Sequence, residues 1–468
     1  MFLQACKHRR YHRGHGKIAE GTSHLKMSTL GPRLLVKGIR STIGCLQTIH
    51  DLRPSACIRI VTHAHKRTYY LDSACGGAGQ TQSQQSKAEL ISAAPGLSQR
   101  NLSAAAGSLK SQCRPMSRYN FLDPGDVDEN THKALACRYQ RHFVVDPDFA
   151  QLVADHLKGD LTERNAAIFE CNPGPGVLTR ALLNSGAQRV IGLESDKSFL
   201  KDLQALESRL DGQLEVVHCD FFKLDPLGQG TMKPPSMYSD KLFNDLGISE
   251  VPWTADVPVK VLGIFPQRNE RSILWKLIYA IFERTSVFRY GRVQLVMFMS
   301  EKAYLKLVAQ PGNLKKYQSL SVLWQIACDI KLIQKVPMSS FVISSKGHGT
   351  PVKNTQFPVD HLCLVSLTPH PNLFSSDLTH ANGAALIMMV KQCMTKKKTQ
   401  LIDHLKAWSP ENGSKVLTDL DLLEDIQTGY VFPEEYRIVF ESLHQTKEFK
   451  QSWIYNETLN TETTTTIV

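Results

Sequence analysis

A doubly wound α/β domain followed by a small α-helical domain is what this sequence predicts, and three observations carry that prediction. Ala167, Ile168 and Phe169 read as the end of a buried strand; Glu170 and a Pro/Gly turn follow, then Val177 to Leu183 are apolar at helical spacing before Gly186. Two further strand-like runs, 189–193 and 214–217, end at acidic residues, Glu194 and Asp220. Past Pro371 the pattern is helical only, at 384–394, 400–408, 433–445 and 449–455.

In chain order, residues 1–67 hold 13 Lys and Arg against two acids, Glu20 and Asp51. Their charge equals the +11 of the whole chain, so the remainder is balanced and offers nucleic acid no global attraction. A basic, nearly acid-free segment without a long apolar stretch has the composition of a mitochondrial presequence, not of a secretory signal. Residues 68–118, rich in Ala, Ser, Gln and Gly, read as disordered linker or presequence remainder. Order is expected from Tyr119, giving a domain over 119–370 and a helical one over 371–468. Asp146 and Pro147 make a good start for a helix over 148–157. The run 226–258 reads as a long irregular loop; strands follow at 259–266, 292–299, 330–336 and 361–367, with helices between at 272–282, 301–309 and 318–327.

Eleven cysteines show neither a paired framework nor metal-ligand spacing, which fits free thiols in a reducing compartment and no metal site. Cys171 and Cys219 adjoin the motifs but read as small buried hydrophobes. No apolar run is long enough for a membrane span.

The order of the strand-end features points to a cofactor. A glycine turn, an acid roughly 20 residues on, then an acid followed by two aromatics is the layout of an S-adenosylmethionine site. Gly174 and Gly176 allow close backbone approach, Glu194 suits a ribose diol, and Asp220 with Phe221 and Phe222 suits the amino group and face of adenine. A dinucleotide fold supplies the first two features but not the third.

The wording of these motifs is specific. Glu170–Cys171–Asn172–Pro173–Gly174–Pro175–Gly176–Val177–Leu178–Thr179 resembles the first motif of the ribosomal-RNA adenine dimethyltransferases. Leu193–Glu194–Ser195–Asp196 and His218–Cys219–Asp220–Phe221–Phe222–Lys223–Leu224–Asp225 resemble the next two. With Asn172 replacing the family's first glycine, the similarity is to the mitochondrial transcription factor B branch, as is that of Val251–Pro252–Trp253–Thr254–Ala255–Asp256. It implies an S-adenosylmethionine-dependent methyltransferase fold of Rossmann-like type, with Val144, Glu170, Asn172, Gly174, Gly176, Glu194 and Asp220 at the cofactor. Where the family carries Asn–Leu–Pro–Tyr to hold the target adenine, this chain has Ile264–Phe265–Pro266–Gln267. Acceptor and stacking ring are both lost, so no catalytic residue is assigned. Phe341 resembles a second base-clamping aromatic, whereas Lys233–Pro234–Pro235–Ser236–Met237–Tyr238 is only a superficial mimic of the acceptor motif.

The resemblance further implies the mitochondrial matrix and its nucleoid, mitochondrial RNA polymerase and promoter DNA as partners, and initiation of transcription. Lys396–Lys397–Lys398, with Lys391 before them, are the expected phosphate contacts. Two rival readings stand beside it: a weak small-subunit rRNA adenine dimethyltransferase, and a non-catalytic binder of that RNA.

Overall fold

The computed structural model describes residues 120–161, 166–226, 232–344 and 361–457. The presequence and linker expectations lie outside the described residues. Nine strands are described: β1 (His142–Phe143), β2 (Ala167–Cys171), β3 (Val190–Glu194), β4 (Leu214–His218), β5 (Val259–Ile264), β6 (Gln294–Ser300), β7 (Cys328–Pro337), β8 (Val342–Ile343) and β9 (His361–Pro369). Seven form one sheet in the order β4-β3-β2-β5-β6-β9-β7; β1 and β8 form a separate antiparallel ribbon. β4, β3, β2, β5 and β6 run parallel, and β9 is antiparallel to both β6 and β7.

The strand order reverses between β2 and β5, the place where a doubly wound sheet opens a crevice at its carboxyl edge. β2 and β3 are buried at every position, as expected for parallel strands covered on both faces. Alternate residues feed opposite layers. Ile168 and Val190 pack with the helices Pro147–Leu161 and Val177–Asn184, whereas Phe169 and Ile191 pack with Glu270–Glu283 and Ser319–Ala327. Asp146 caps the first of these helices, its carboxylate accepting the Asp148 N–H at 2.9 Å.

The C-terminal helices Gly383–Cys393, Leu401–Trp408, Gly413–Asp419, Pro433–His444 and Lys447–Gln451 join the second layer's core, which runs from Phe169 through Ile281 and Trp324 to Ile387, Tyr436 and Phe449. The joint is close: a Cβ at Gly383 would lie 2.5 Å from the Phe282 carbonyl oxygen. The run after Asp225 is less irregular than its sequence suggests. It holds the helix Ser239–Asp245, whose Leu242 and Phe243 are buried, and Trp253 donates to the His370 carbonyl at 2.9 Å. Two apolar positions in seven residues are too few to show a period.

Candidate cofactor site

A cavity of about 310 Å³ lies at the carboxyl ends of β2 and β5, under the segment 139–144. The residues Val144, Glu170, Asn172, Asp220, Ile264, Phe265, Pro266 and Gln267 singled out from sequence all line it. Gly174, Gly176, Glu194, Phe341 and Lys396 to Lys398 do not.

The turn is built from alternating left-handed residues and prolines. Asn172, Gly174 and Gly176 have φ of 55°, 61° and 78°. Asparagine is among the few non-glycine residues that tolerate this region, so it can replace the family's first glycine without breaking the turn. It also adds a contact no glycine could make. Its side-chain oxygen accepts from Ser195 Oγ at 2.6 Å and from Arg141 Nη1 at 3.1 Å. Glu170, fully buried, accepts from Thr179 Oγ1 at 2.6 Å; burial pushes its carboxyl up to about 7, opposed by that hydrogen bond. Cys171 and Cys219 are buried, and burial raises both thiols.

Glu194 ends β3 as expected, but its carboxylate is already engaged. Arg141 grips it in bidentate fashion, Nη1 to Oε1 at 2.8 Å and Nη2 to Oε2 at 3.0 Å. The Gly174 and Asp196 N–H groups complete its shell at 2.9 and 2.7 Å. The guanidinium lies over the Phe143 ring at 4.6 Å and near Phe199 at 5.1 Å. Its backbone is anchored to the far side of the fold, because Arg141 N donates to Ser344 Oγ at 3.2 Å and Ser344 N to Arg141 O at 3.1 Å. Sequence reading saw only a segment lying across the cofactor. It missed Arg141, whose partner is 53 positions away.

On the opposite wall Asp220 accepts from the Phe222 N–H at 3.1 Å and pairs with Lys223 at 3.0 Å. The Phe222 ring lines the cavity and meets Phe265 at 5.7 Å between centroids. Pro235 also lines the cavity, its carbonyl accepting from Asp220 N at 2.8 Å, whereas Tyr238 of the same stretch is exposed and outside it. The Asp220 carboxylate and the Phe222 ring both line the cavity, whereas both oxygens of the Glu194 carboxylate are occupied by Arg141.

The last residue of β5 carries no polar acceptor in its side chain. Ile264 stands where one is needed, Phe265 is fully buried, and the Gln267 amide donates back to the Phe265 carbonyl at 3.3 Å. Phe341 is buried in an aromatic cluster with Phe149 and Phe298, at centroid separations of 5.3 and 5.2 Å. In the turn between the helices Gly383–Cys393 and Leu401–Trp408, Lys396 and Lys398 are exposed, whereas Lys397 donates to the Leu314 carbonyl at 2.7 Å. Among the described residues no cluster of three or more His, Cys, Asp or Glu could hold a metal, and no helix is long and apolar enough to cross a membrane.

A sequence model of the family described as ribosomal RNA adenine dimethylase matches residues 133–445. The human protein named Dimethyladenosine transferase 2, mitochondrial, is 40% identical over 326 residues, covering 68% of this chain and 81% of its own. Its bovine counterpart is 42% identical over 318 residues, covering 68% and 80%. Among solved structures, a dimethyladenosine transferase from Plasmodium falciparum aligns with a TM-score of 0.41 at 16% identity, covering 61% of this chain and 93% of that one.

Proposed function

The chain belongs to the ribosomal RNA adenine dimethylase family, and from that premise we propose that it is a mitochondrial transcription initiation factor built on the methyltransferase fold. In this reading it partners mitochondrial RNA polymerase and helps hold promoter DNA open in the matrix nucleoid. The mitochondrial names of the relatives support the compartment. The alternative is a weak dimethyltransferase of small-subunit rRNA.

One observation carries the choice: the two halves of the cavity are unequally equipped. S-adenosyl-L-methionine is the cofactor this family uses, and when bound it supplies an activated methyl group. Asp220 would take the adenine amino group, the Phe222 ring its face, and the turn with Val144 its remainder. The nitrogen to be methylated is a poor nucleophile, its lone pair delocalised into the adenine ring. It therefore needs an acceptor side chain and a ring to hold it once the base has left its stack. Ile264 cannot accept a hydrogen bond and Gln267 cannot stack as a tyrosine does, so a base can occupy this cleft without being positioned for reaction.

Dimethylation of a ribosomal-RNA hairpin is accordingly expected to be slow or undetectable. Ile264→Asn combined with Gln267→Tyr, both at half-buried positions, should raise it about tenfold or more, one positioning hydrogen bond's worth at least. Robust dimethylation by the unmodified chain would favour the alternative. The proposed role itself is tested by promoter-dependent transcription on duplex and pre-melted templates.

A further inference from the structure

Next to the lysine patch, in the C-terminal helical segment, two aromatic rings stand in solvent. Tyr430 and Phe432 are 48% and 53% exposed, while Val431 between them is fully buried. The backbone is extended at Val431 and Phe432, with φ and ψ of −74° and 132°, then −74° and 156°. The two exposed rings thus flank a residue whose side chain is buried.

The segment carrying the rings is tied to the lysines. Gly429 N donates to Lys397 O at 2.8 Å, Thr428 N to Thr399 O at 3.0 Å, and Gln400 pairs with Gln427 in an isolated antiparallel bridge. With Lys397 held by Leu314, the exposed Lys396 and Lys398 on either side of it face water. A third loop closes the patch: Gly312 N donates to Gly429 O at 2.9 Å, and Lys315 in that loop is exposed. Among the described residues none of Lys315, Lys396 and Lys398 forms an ion pair. The neighbouring Glu435 is committed to the Phe432 N–H at 2.7 Å.

A single exposed aromatic is ordinary. Two in tandem, fixed by backbone hydrogen bonds beside three unpaired cations, form a stacking platform with an electrostatic rail. We propose that Tyr430 and Phe432 stack successive bases of an unpaired nucleic-acid strand whose phosphates are held by Lys315, Lys396 and Lys398. The assignment rests on the reading that the lysine patch meets nucleic acid and adds to it the base-contacting residues and the strand state.

The test is fluorescence anisotropy of the full chain with a labelled oligothymidine, its RNA equivalent and a duplex of equal length. Tyr430→Ala with Phe432→Ala should weaken single-strand binding about tenfold or more, since each ring stacks a base, while leaving duplex binding and the salt slope near wild type. Tyr430→Trp with Phe432→Trp should retain single-strand affinity, which guards against a fold defect. Lys315→Ala, Lys396→Ala and Lys398→Ala together should reduce the single-strand salt slope by up to about 2, at roughly 0.7 per phosphate. Comparing the DNA and RNA oligomers identifies the strand preferred. If the alanine pair binds as well as wild type while the lysine variant loses slope, the stacking assignment fails and the patch stands. If neither variant changes binding, both assignments fail.

Discussion

Replacing Arg141 with glutamine is expected to tighten S-adenosylmethionine binding about tenfold or more, one to two charge-assisted hydrogen bonds' worth. A ribose diol can reach Glu194 only by displacing a guanidinium that holds both carboxylate oxygens in a site where Glu194 is fully buried and the Arg141 side chain 14% exposed. Removing the arginine frees those oxygens, with the Gly174 and Asp196 N–H groups still orienting the carboxylate. The same change leaves a buried charge without its partner, which costs on the order of 3–5 kcal/mol when nothing replaces it. Glutamine can donate one hydrogen bond in return, so the loss should fall below that range. Arg141→Gln should therefore melt earlier than wild type without ligand and recover more when ligand is added. Calorimetry alongside thermal melts reads both effects. Unchanged or weaker binding by Arg141→Gln would mean that Glu194 is not the diol contact, or that the arginine itself helps bind the cofactor.

The second large effect concerns pH. Burial holds the Glu170 carboxyl at about 7, against an ordinary 4.5. Below 4.5 the group is protonated in both folded and unfolded chains and contributes no difference. Between 4.5 and about 7 the unfolded chain releases the proton while the folded one keeps it, so stability falls as pH rises, and the loss is complete above the folded value. Each pH unit is worth about 1.4 kcal/mol, so Glu170→Gln should stabilise the fold by up to about 3 kcal/mol at pH 8 and by almost nothing at pH 4. The amide oxygen of glutamine can still accept from Thr179, which makes the substitution conservative. Denaturant melts of both proteins across that range measure the difference. A constant gap at all pH values would show that the Glu170 carboxyl titrates alike in the folded and unfolded chains.

The glycine turn, the strand ends and the acids after them were legible because each lies within a few residues of its neighbours and needs only local patterning. The lining of the cavity by Asn172, Asp220 and the β5 terminus follows from where parallel strands must end, whereas Val144 was expected there only from the family resemblance. The Arg141–Glu194 pair was not legible, since it depends on a segment held to the fold through Ser344, 203 positions away. Nor was the direction of Phe341. The two-residue β8 gives no alternation to read, and the ring turns toward Phe149 and Phe298 instead of the cleft. Three lysines in a row read alike in sequence, and only the Leu314 carbonyl distinguishes Lys397 from its neighbours.

Transcription by mitochondrial RNA polymerase from a linear promoter, and from the same promoter already melted across the start site, bears most directly on the central claim. With this chain present, initiation on the duplex should rise well above the polymerase alone, the pre-melted template should largely lose that dependence, and Ile264→Asn with Gln267→Tyr should leave both unchanged. Duplex initiation that is the same with and without the chain, together with efficient dimethylation of ribosomal RNA, would contradict it.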